Sequence, residues 1–371
     1  MKIIEIISDT NIGGAGVLLV NRLKNTDLKK YQTAVALPKG SMLTQRLLDI
    51  GVRCIEIDCR GDSSLEVGAI AKYVRLFKKE RPDIINCHGA LSARIAAKVC
   101  RVPIKICTRH CVFSVKKSEK VMGFLNNMLS DRFIAVAHSA KENLKALGVD
   151  EQRITVIING AEPLSKISEQ QKQRLRAENG IDKSTFVLAF CARLEECKGH
   201  EWFFKAVRLL IQRGENIKVL LIGDGSQRQR LEAQRDALGI SESIIFCGFV
   251  TDVSHLMNIA DLSINCSVGT ETSSLALSEG MSLGLPAVVS DYGGNPYMIR
   301  HGENGFVVRC GDYEKMAEYI VRFKNDKTLY KKTSLNARKR FEEELNAVSM
   351  TEKTNSLYDM LYEIKVKSYR P

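Results

Sequence analysis

Short apolar runs rich in Ile and Val recur at 2–8, 32–37, 53–57, 83–87, 104–108, 132–136 and 153–158, each four to seven residues long. Longer segments separate them, among them 14–25, 63–80, 89–100 and 139–147, several with the 3.6-residue period of a half-buried helix. A second set of apolar runs begins at Phe186–Phe190 and continues through 217–222, 243–246, 261–265, 286–289 and 305–308. Runs that are apolar throughout mark strands covered on both faces, and strands alternating with helices give a parallel sheet. The pattern therefore predicts an α/β protein of two doubly wound, Rossmann-like domains facing each other across a cleft, with the carboxyl ends of the strands turned towards it. The expected boundaries are 1–164 for the first domain, 165–184 for a polar linker with a short helix, and 185–341 for the second. The stretch 342–371 reads as closing helices, with the first domain as the surface on which they are expected to return.

Length agrees with two cores, since 371 residues exceed what one usually serves. Charged residues make up 26% and hydrophobic residues 44%, an ordinary balance for a globular protein. No apolar run approaches the ~20 residues of a membrane span. The first strand, Lys2-Ile-Ile-Glu5-Ile-Ile, carries an acid inside its apolar stretch, which argues against a leader. The eleven cysteines are odd in number and lack metal-site spacing, so reduced thiols and a cytoplasmic setting are expected.

A formal charge of +12 directs attention to phosphate-bearing partners. Two segments concentrate it, Lys72–Arg81 and Val112–Leu125. Each reads either as a solvated surface or as peripheral contact with an anionic membrane, on its inner face, or with a lipid-linked substrate. No zinc-finger spacing or aromatic RNA-binding strand is present, and aromatic residues are 6%, so nucleic acid is not expected as a partner.

Four groups of residues carry candidate chemistry. Gly13-Gly14-Ala15-Gly16 lies between the first strand and a helix, where free N–H groups can meet an anion. It is not the dinucleotide fingerprint, and the second strand ends at Leu37-Pro38 without an acid for a ribose. Tight strand–helix packing is the alternative reason for these glycines. Arg193 and Lys198 follow the first strand of the second domain, where a planar fork and a point charge could converge on one diphosphate. Glu271 and Glu279 lie eight residues apart, which is about 12 Å of helix. One is expected at the start of a helix and the other a little over two turns inside, with N–H groups between them for phosphates. Gly223-Asp224-Gly225 and Gly248-Phe249-Val250 end two further strands in loops.

Together these motifs resemble the retaining nucleotide-sugar glycosyltransferases of family 4, which have the two-domain GT-B fold. The resemblance includes the glycine turn, Pro82–Gly89 with His88, Thr108-Arg109-His110, Asn159-Gly160, Arg193-x4-Lys198-Gly199, Gly223–Gly225, Gly248–Val250, Glu271-x7-Glu279, Gly293-Gly294 and Asn304-Gly305. It implies that Arg193 and Lys198 hold the donor diphosphate, Glu279 the ribose hydroxyls and Glu271 the hydroxyls of the transferred sugar. N–H groups of Ser273, Ser274 and Leu275, and of Gly13 and Gly14, would meet sugar and phosphates, and Gly248 to Val250 would frame the base. His110 matches the histidine near the reacting centre, and His88 is a weaker candidate beside it. Two departures bear on the sugar: Thr272-Ser273-Ser274 stands where a Gly-Phe-Gly-like run is usual, and Asn295-Pro296-Tyr297 where Glu often follows the glycine pair.

The implied activity is transfer of a hexose or N-acetylhexosamine from a nucleoside-diphosphate sugar, a UDP-sugar first, to a saccharide or lipid-linked acceptor in cell-surface polysaccharide or glycolipid synthesis. Asp-x-Asp does not occur, so no metal and no other cofactor is expected. The alternatives are a sugar-nucleotide epimerase of the same architecture and a nucleotide-sugar-binding protein without catalysis.

Overall fold

The computed structural model describes residues 1–10, 13–61, 63–112 and 120–366. Asn11 and Ile12 of the glycine turn, and residues 113–119 of the basic segment Val112–Leu125, lie outside the described residues. The chain forms two compact units, one of residues 1–161 together with the chain from Ala347 onward, the other of 162–346.

The first unit is built on seven strands: β1 (Lys2–Ile7), β2 (Gln32–Pro38), β3 (Arg53–Ile57), β4 (Ile84–His88), β5 (Ile104–Arg109), β6 (Arg132–Ala135) and β7 (Ile154–Val156). All pair in parallel in the order β3-β2-β1-β4-β5-β6-β7. Six helices connect them: α1 (Gly14–Lys24), α2 (Leu43–Asp49), α3 (Val67–Glu80), α4 (Leu91–Val99), α5 (Lys120–Leu129) and α6 (His138–Ala146). The period-2 alternation of a strand divides β1 between two cores. Ile4 and Ile6 join the side packed by Tyr73, Phe77 and Ala93 of α3 and α4, while Ile7 joins the side packed by Leu19 and Leu23 of α1. Glu5 is fully buried between these isoleucines.

The second unit holds six parallel strands: β8 (Phe186–Cys191), β9 (Ile217–Ile222), β10 (Ile244–Gly248), β11 (Leu262–Asn265), β12 (Ala287–Ser290) and β13 (Gly305–Val308). Their order is β10-β9-β8-β11-β12-β13. Helices α7 (Glu169–Glu178), α8 (His200–Gln212), α9 (Arg228–Ala237), α10 (Ser254–Ile259), α11 (Leu275–Leu283), α12 (Asn295–Met298), α13 (Tyr313–Asn325) and α14 (Lys327–Arg340) complete it. Leu188 and Phe190 of β8 pack with Phe203 and Val207 of α8, while Val187 and Ala189 pack on the other face with Met257 and Ile259 of α10. Both faces are thus covered, which is why the strands read as unbroken apolar runs.

The stretch 165–184, expected as a linker, is structured as part of the second unit. Ser168 and Gln171 form a capping box at the start of α7, and Arg176 donates to the Ile259 carbonyl and pairs with Asp261 at 2.7 Å. The final helix, α15 (Ala347–Lys365), belongs to the first unit. Lys365 pairs with Asp131 at 2.6 Å and Asp359 with Lys30 at 2.8 Å, and buried Tyr358 reaches Glu5.

In each sheet the order reverses once, between β1 and β4 and between β8 and β11. Loops diverge at these points and leave a crevice at the carboxyl ends of the strands, the usual ligand position in such sheets.

Candidate active site

At the reversal in the second sheet, the loop after β8 meets the loop after β11. Arg193 is exposed, while Leu194 beside it is fully buried and anchors the turn. A 3₁₀ turn, Glu196–Lys198, then brings the Lys198 ammonium 2.8 Å from Glu271 Oε2. The two loops are joined by backbone as well, since the N–H groups of Val268 and Gly269 donate to the Cys197 carbonyl at 2.9 and 3.1 Å. Thr270 adopts φ +48°, a strained conformation for a β-branched residue, immediately before Glu271. A Cβ on Gly293 or Gly294 would overlap the carbonyl oxygens of Glu271 or Thr272, so only glycine lets that backbone approach.

Glu271 is 7% exposed, and all three side-chain donors that reach it among the described residues end on Oε2: Lys198, Ser267 Oγ at 2.8 Å and Asn265 Nδ2 at 3.2 Å. Burial alone would raise its pKa, but the Lys198 charge and these hydrogen bonds hold the carboxyl below its ordinary value. Oε1 keeps its capacity to accept.

Helix α11 starts later than the spacing suggested. Ser274 is its N-cap, accepting from Leu277 N–H at 3.3 Å, and Leu275 is its first residue. Glu279 is therefore the fifth helical residue, a little over one turn inside, and Glu271 lies in the loop rather than at the helix start. The pairing with Lys198 and the left-handed Thr270 hold the intervening residues out of helical geometry. Ser273 is buried, and Ser274 and Leu275 are half-buried beside it at the N-terminal end. Burial, with the negative charge of Asp252 adding to it, pushes the Glu279 carboxyl up to about 7. Gly248 ends β10 with φ +69°, its carbonyl accepting from Gly223 N–H at 2.8 Å. Val250 packs against the core, which leaves Phe249 69% exposed as the outward residue of that segment.

The first unit holds Gly13, Gly14 and His110. The glycine turn divides by role: a Cβ on Gly16 would meet the Leu43 side chain at 2.6 Å, whereas one on Gly14 would meet nothing within 4 Å. Packing thus accounts for Gly16 and not for Gly14. Gly13 caps α1, its carbonyl accepting from Val17 N–H at 3.0 Å, and both Gly13 and Gly14 are exposed.

His110 follows β5, and its Nε2 lies 2.7 Å from His88 Nδ1 at the end of β4. His88 Nε2 lies 3.0 Å from Glu5 Oε2, and Glu5 Oε1 accepts from Arg22 at 2.5 Å and from the Tyr358 hydroxyl at 2.9 Å. The Tyr358 oxygen in turn accepts from Asn86 Nδ2 at 2.9 Å, and Asn86 Oδ1 accepts from Thr108 at 2.8 Å. Burial would raise the Glu5 pKa, but the Arg22 charge and the hydrogen bonds from His88 and Tyr358 hold it below the usual carboxylate range. Burial keeps His110 well below the usual imidazole range, and His88 adds to the effect. The Tyr358 hydroxyl is held well above its usual value by burial and by the Glu5 charge.

The structure brings Lys198 and Glu271 into contact and sets Ser273, Ser274 and Leu275 at one helix start. Glu5, Tyr358, Asn265 and Ser267 are additions that motif reasoning does not single out. Glu5 had a signal, since an acid in a strand buried on both faces requires partners. Tyr358 had none, because it reaches the sheet from a helix 353 residues away.

Residues 12–163 match the model Glycosyltransferase Family 4, and residues 171–340 match Glycosyl transferases group 1. The chain belongs to the family 4-like glycosyltransferases. Among its relatives in that family is the UDP-Gal:alpha-D-GlcNAc-diphosphoundecaprenol alpha-1,3-galactosyltransferase of Escherichia coli, 26% identical over 329 residues that cover 84% of each chain. Another is the capsular polysaccharide biosynthesis glycosyltransferase CapM of Staphylococcus aureus, 24% identical over 313 residues, 79% of this chain and 81% of the other. Among solved structures, Anabaena Alr3699/HepE, crystallised with UDP and glucose, superposes with a TM-score of 0.86 at 22% identity, covering 97% of this chain and 99% of that one. That likeness is one of fold, and it is the two-domain GT-B fold. No helix among the described residues is long and apolar enough to cross a membrane.

Proposed function

We propose that this glycosyltransferase moves a hexose or N-acetylhexosamine from a UDP-sugar, with retention and without a metal, to a hydroxyl of a saccharide or lipid-linked acceptor. The observation that carries this reading is the Lys198–Glu271 contact at the strand reversal of the second sheet, directly before the N-terminus of α11. An ammonium has three donors, so Lys198 can keep one on Glu271 and direct the others at phosphate oxygens. Glu271 would accept from sugar hydroxyls through Oε1. Glu279, with its carboxyl near the midpoint of titration at neutral pH, would bind the ribose diol. Exposed Arg193 is available to fork onto the diphosphate, and the α11 N-terminus adds its dipole. The E. coli relative named for a UDP-Gal donor and a diphosphoundecaprenol acceptor supports the donor and acceptor classes. The basic face of α3 and exposed Phe124 on α5 are where peripheral contact with an anionic membrane would fall.

In the reaction the bond from the anomeric carbon to the diphosphate oxygen breaks, and its electron pair leaves with UDP. The acceptor oxygen bonds to the same face of that carbon, and its proton passes to the departing phosphate. Fixed positive charge at Arg193 and Lys198 offsets the negative charge that develops there. His110 would orient the sugar and diphosphate at the reacting centre.

The test is a thermal shift with UDP, GDP and ADP at millimolar concentration, for the protein and for Glu279→Ala, followed by product analysis with UDP-sugars. A ligand at about 100 times its dissociation constant adds about 2.7 kcal/mol, a visible rise in Tm. UDP is expected to raise Tm in the protein and not in the variant. Equal shifts in both, or none, would remove Glu279 from the donor site, and hydrolysis or epimerisation without acceptor transfer would overturn the reaction.

A further inference from the structure

We propose that Glu5 is a positioning residue for transfer, acting through His88 to fix which nitrogen of His110 carries the proton. The inference rests on the role of His110 given above. Its basis is the unbroken line from Glu5 Oε2 to His88 Nε2 at 3.0 Å and from His88 Nδ1 to His110 Nε2 at 2.7 Å. Arg22 already balances Glu5 at 2.5 Å, so the buried cluster has zero net charge only with both imidazoles neutral. A neutral imidazole has one N–H and one lone pair, and that fixes each step. A carboxylate only accepts, so His88 must donate to it from Nε2. His88 Nδ1 is then the lone pair, and it accepts from His110 Nε2–H. His110 therefore carries its lone pair on Nδ1, the nitrogen that would accept a hydrogen bond from a sugar hydroxyl.

In Glu5→Gln, Arg22 and the Tyr358 hydroxyl both donate towards the position of Oε1, which holds the amide oxygen there and turns the amide N–H₂ to His88. His88 must then accept on Nε2 and carry its proton on Nδ1, which donates to His110 Nε2. His110 is left with its proton on Nδ1, so the nitrogen that accepted becomes a donor. One isosteric change inverts two tautomers in series.

The experiment is multiple-bond ¹H–¹⁵N spectroscopy of the full chain labelled at histidine, with His110 assigned by its loss in His110→Asn. The expected result is an Nε2-protonated His110 in the protein and an Nδ1-protonated one in Glu5→Gln, with Tyr358→Phe unchanged from the protein. With UDP-sugar and acceptor, Glu5→Gln should lower kcat about 10- to 100-fold at nearly constant KM for the donor, the range seen when an orienting outer partner is lost. Should Glu5→Gln fold poorly, Glu5→Gln combined with Arg22→Met removes both charges. Tyr358, whose oxygen accepts from Asn86, still needs the amide oxygen on its side, and the same inversion is expected. An Nδ1-protonated His110 in the protein, or no inversion in either folded variant, overturns the relay. Inversion with an unchanged kcat overturns the part played by Glu5 in transfer. His110→Ala with full activity, by contrast, removes His110 from the reacting centre and leaves the tautomer result to stand or fall separately.

Discussion

In the first unit Glu5 accepts on both oxygens, from Arg22 and Tyr358 on one and His88 on the other, and the chain of partners runs on to Thr108 without leaving the protein. In the second unit the three side-chain donors that reach Glu271 among the described residues share a single oxygen, Arg193 is exposed, and Glu279 is pushed up to about 7 by burial. The first arrangement satisfies its charges internally and so can set geometry and tautomers. The second leaves part of its capacity unused, which is what a ligand with hydroxyls and phosphates requires. Buried acids in one molecule thus divide by whether their last acceptor site is filled by the protein.

Removing one partner from the second unit should have the largest effect. Lys198→Met leaves Glu271 buried without its cation, and we expect transfer to fall about 1,000-fold with a stability loss of about 3–5 kcal/mol. Steady-state rates and urea unfolding read the two separately, and transfer within tenfold of the parent would place Lys198 in the same internal class as Arg22. Next comes Glu279. A carboxyl raised from 4.5 to about 7 on folding contributes stability that is complete below pH 4.5 and lost as pH rises through 7. Relative to Glu279→Gln, the parent should lose up to about 3 kcal/mol between pH 4 and pH 8, and parallel curves would mean that Glu279 is not held in this way. Tyr358→Phe is expected to cost about 1–2 kcal/mol while leaving UDP affinity intact, since its hydroxyl serves only the internal network. A change in UDP affinity would blur the contrast between the units. The smallest effects separate the glycines. Gly16→Ala should cost about 1 kcal/mol by crowding Leu43, whereas Gly14→Ala should stay within about 0.5 kcal/mol and still weaken donor turnover. Equal melting losses in the two would return both glycines to packing.

The thirteen strands were legible because strands covered on both faces leave continuous Ile/Val runs, and each run falls within a residue or two of a strand. Arg193, Lys198, Glu271 and Glu279 were recognisable as motif residues. The helix offset was not, because Thr270 at φ +48° and the Lys198–Glu271 contact are tertiary facts that override an eight-residue spacing. The stretch 165–184 looked like a link because it is polar, yet one arginine, Arg176, fastens it to the core through Ile259 and Asp261. Glu5 was visible as an anomaly inside an apolar strand, but its partners lie 17, 83 and 353 residues away, beyond any local pattern.

The return of α15 to the first unit also sets an order of events during synthesis. Glu5 leaves the ribosome 353 residues before Tyr358, so the whole 162–346 unit is made before the sheet of the first unit can be sealed. Domains generally fold as they emerge, and here the earlier one must wait half-finished with an acid in its central strand. A chain that stops before residue 347 would hold every residue of the second unit and still lack the helix that completes the first, so docking of α15 reports that the second unit has been made in full.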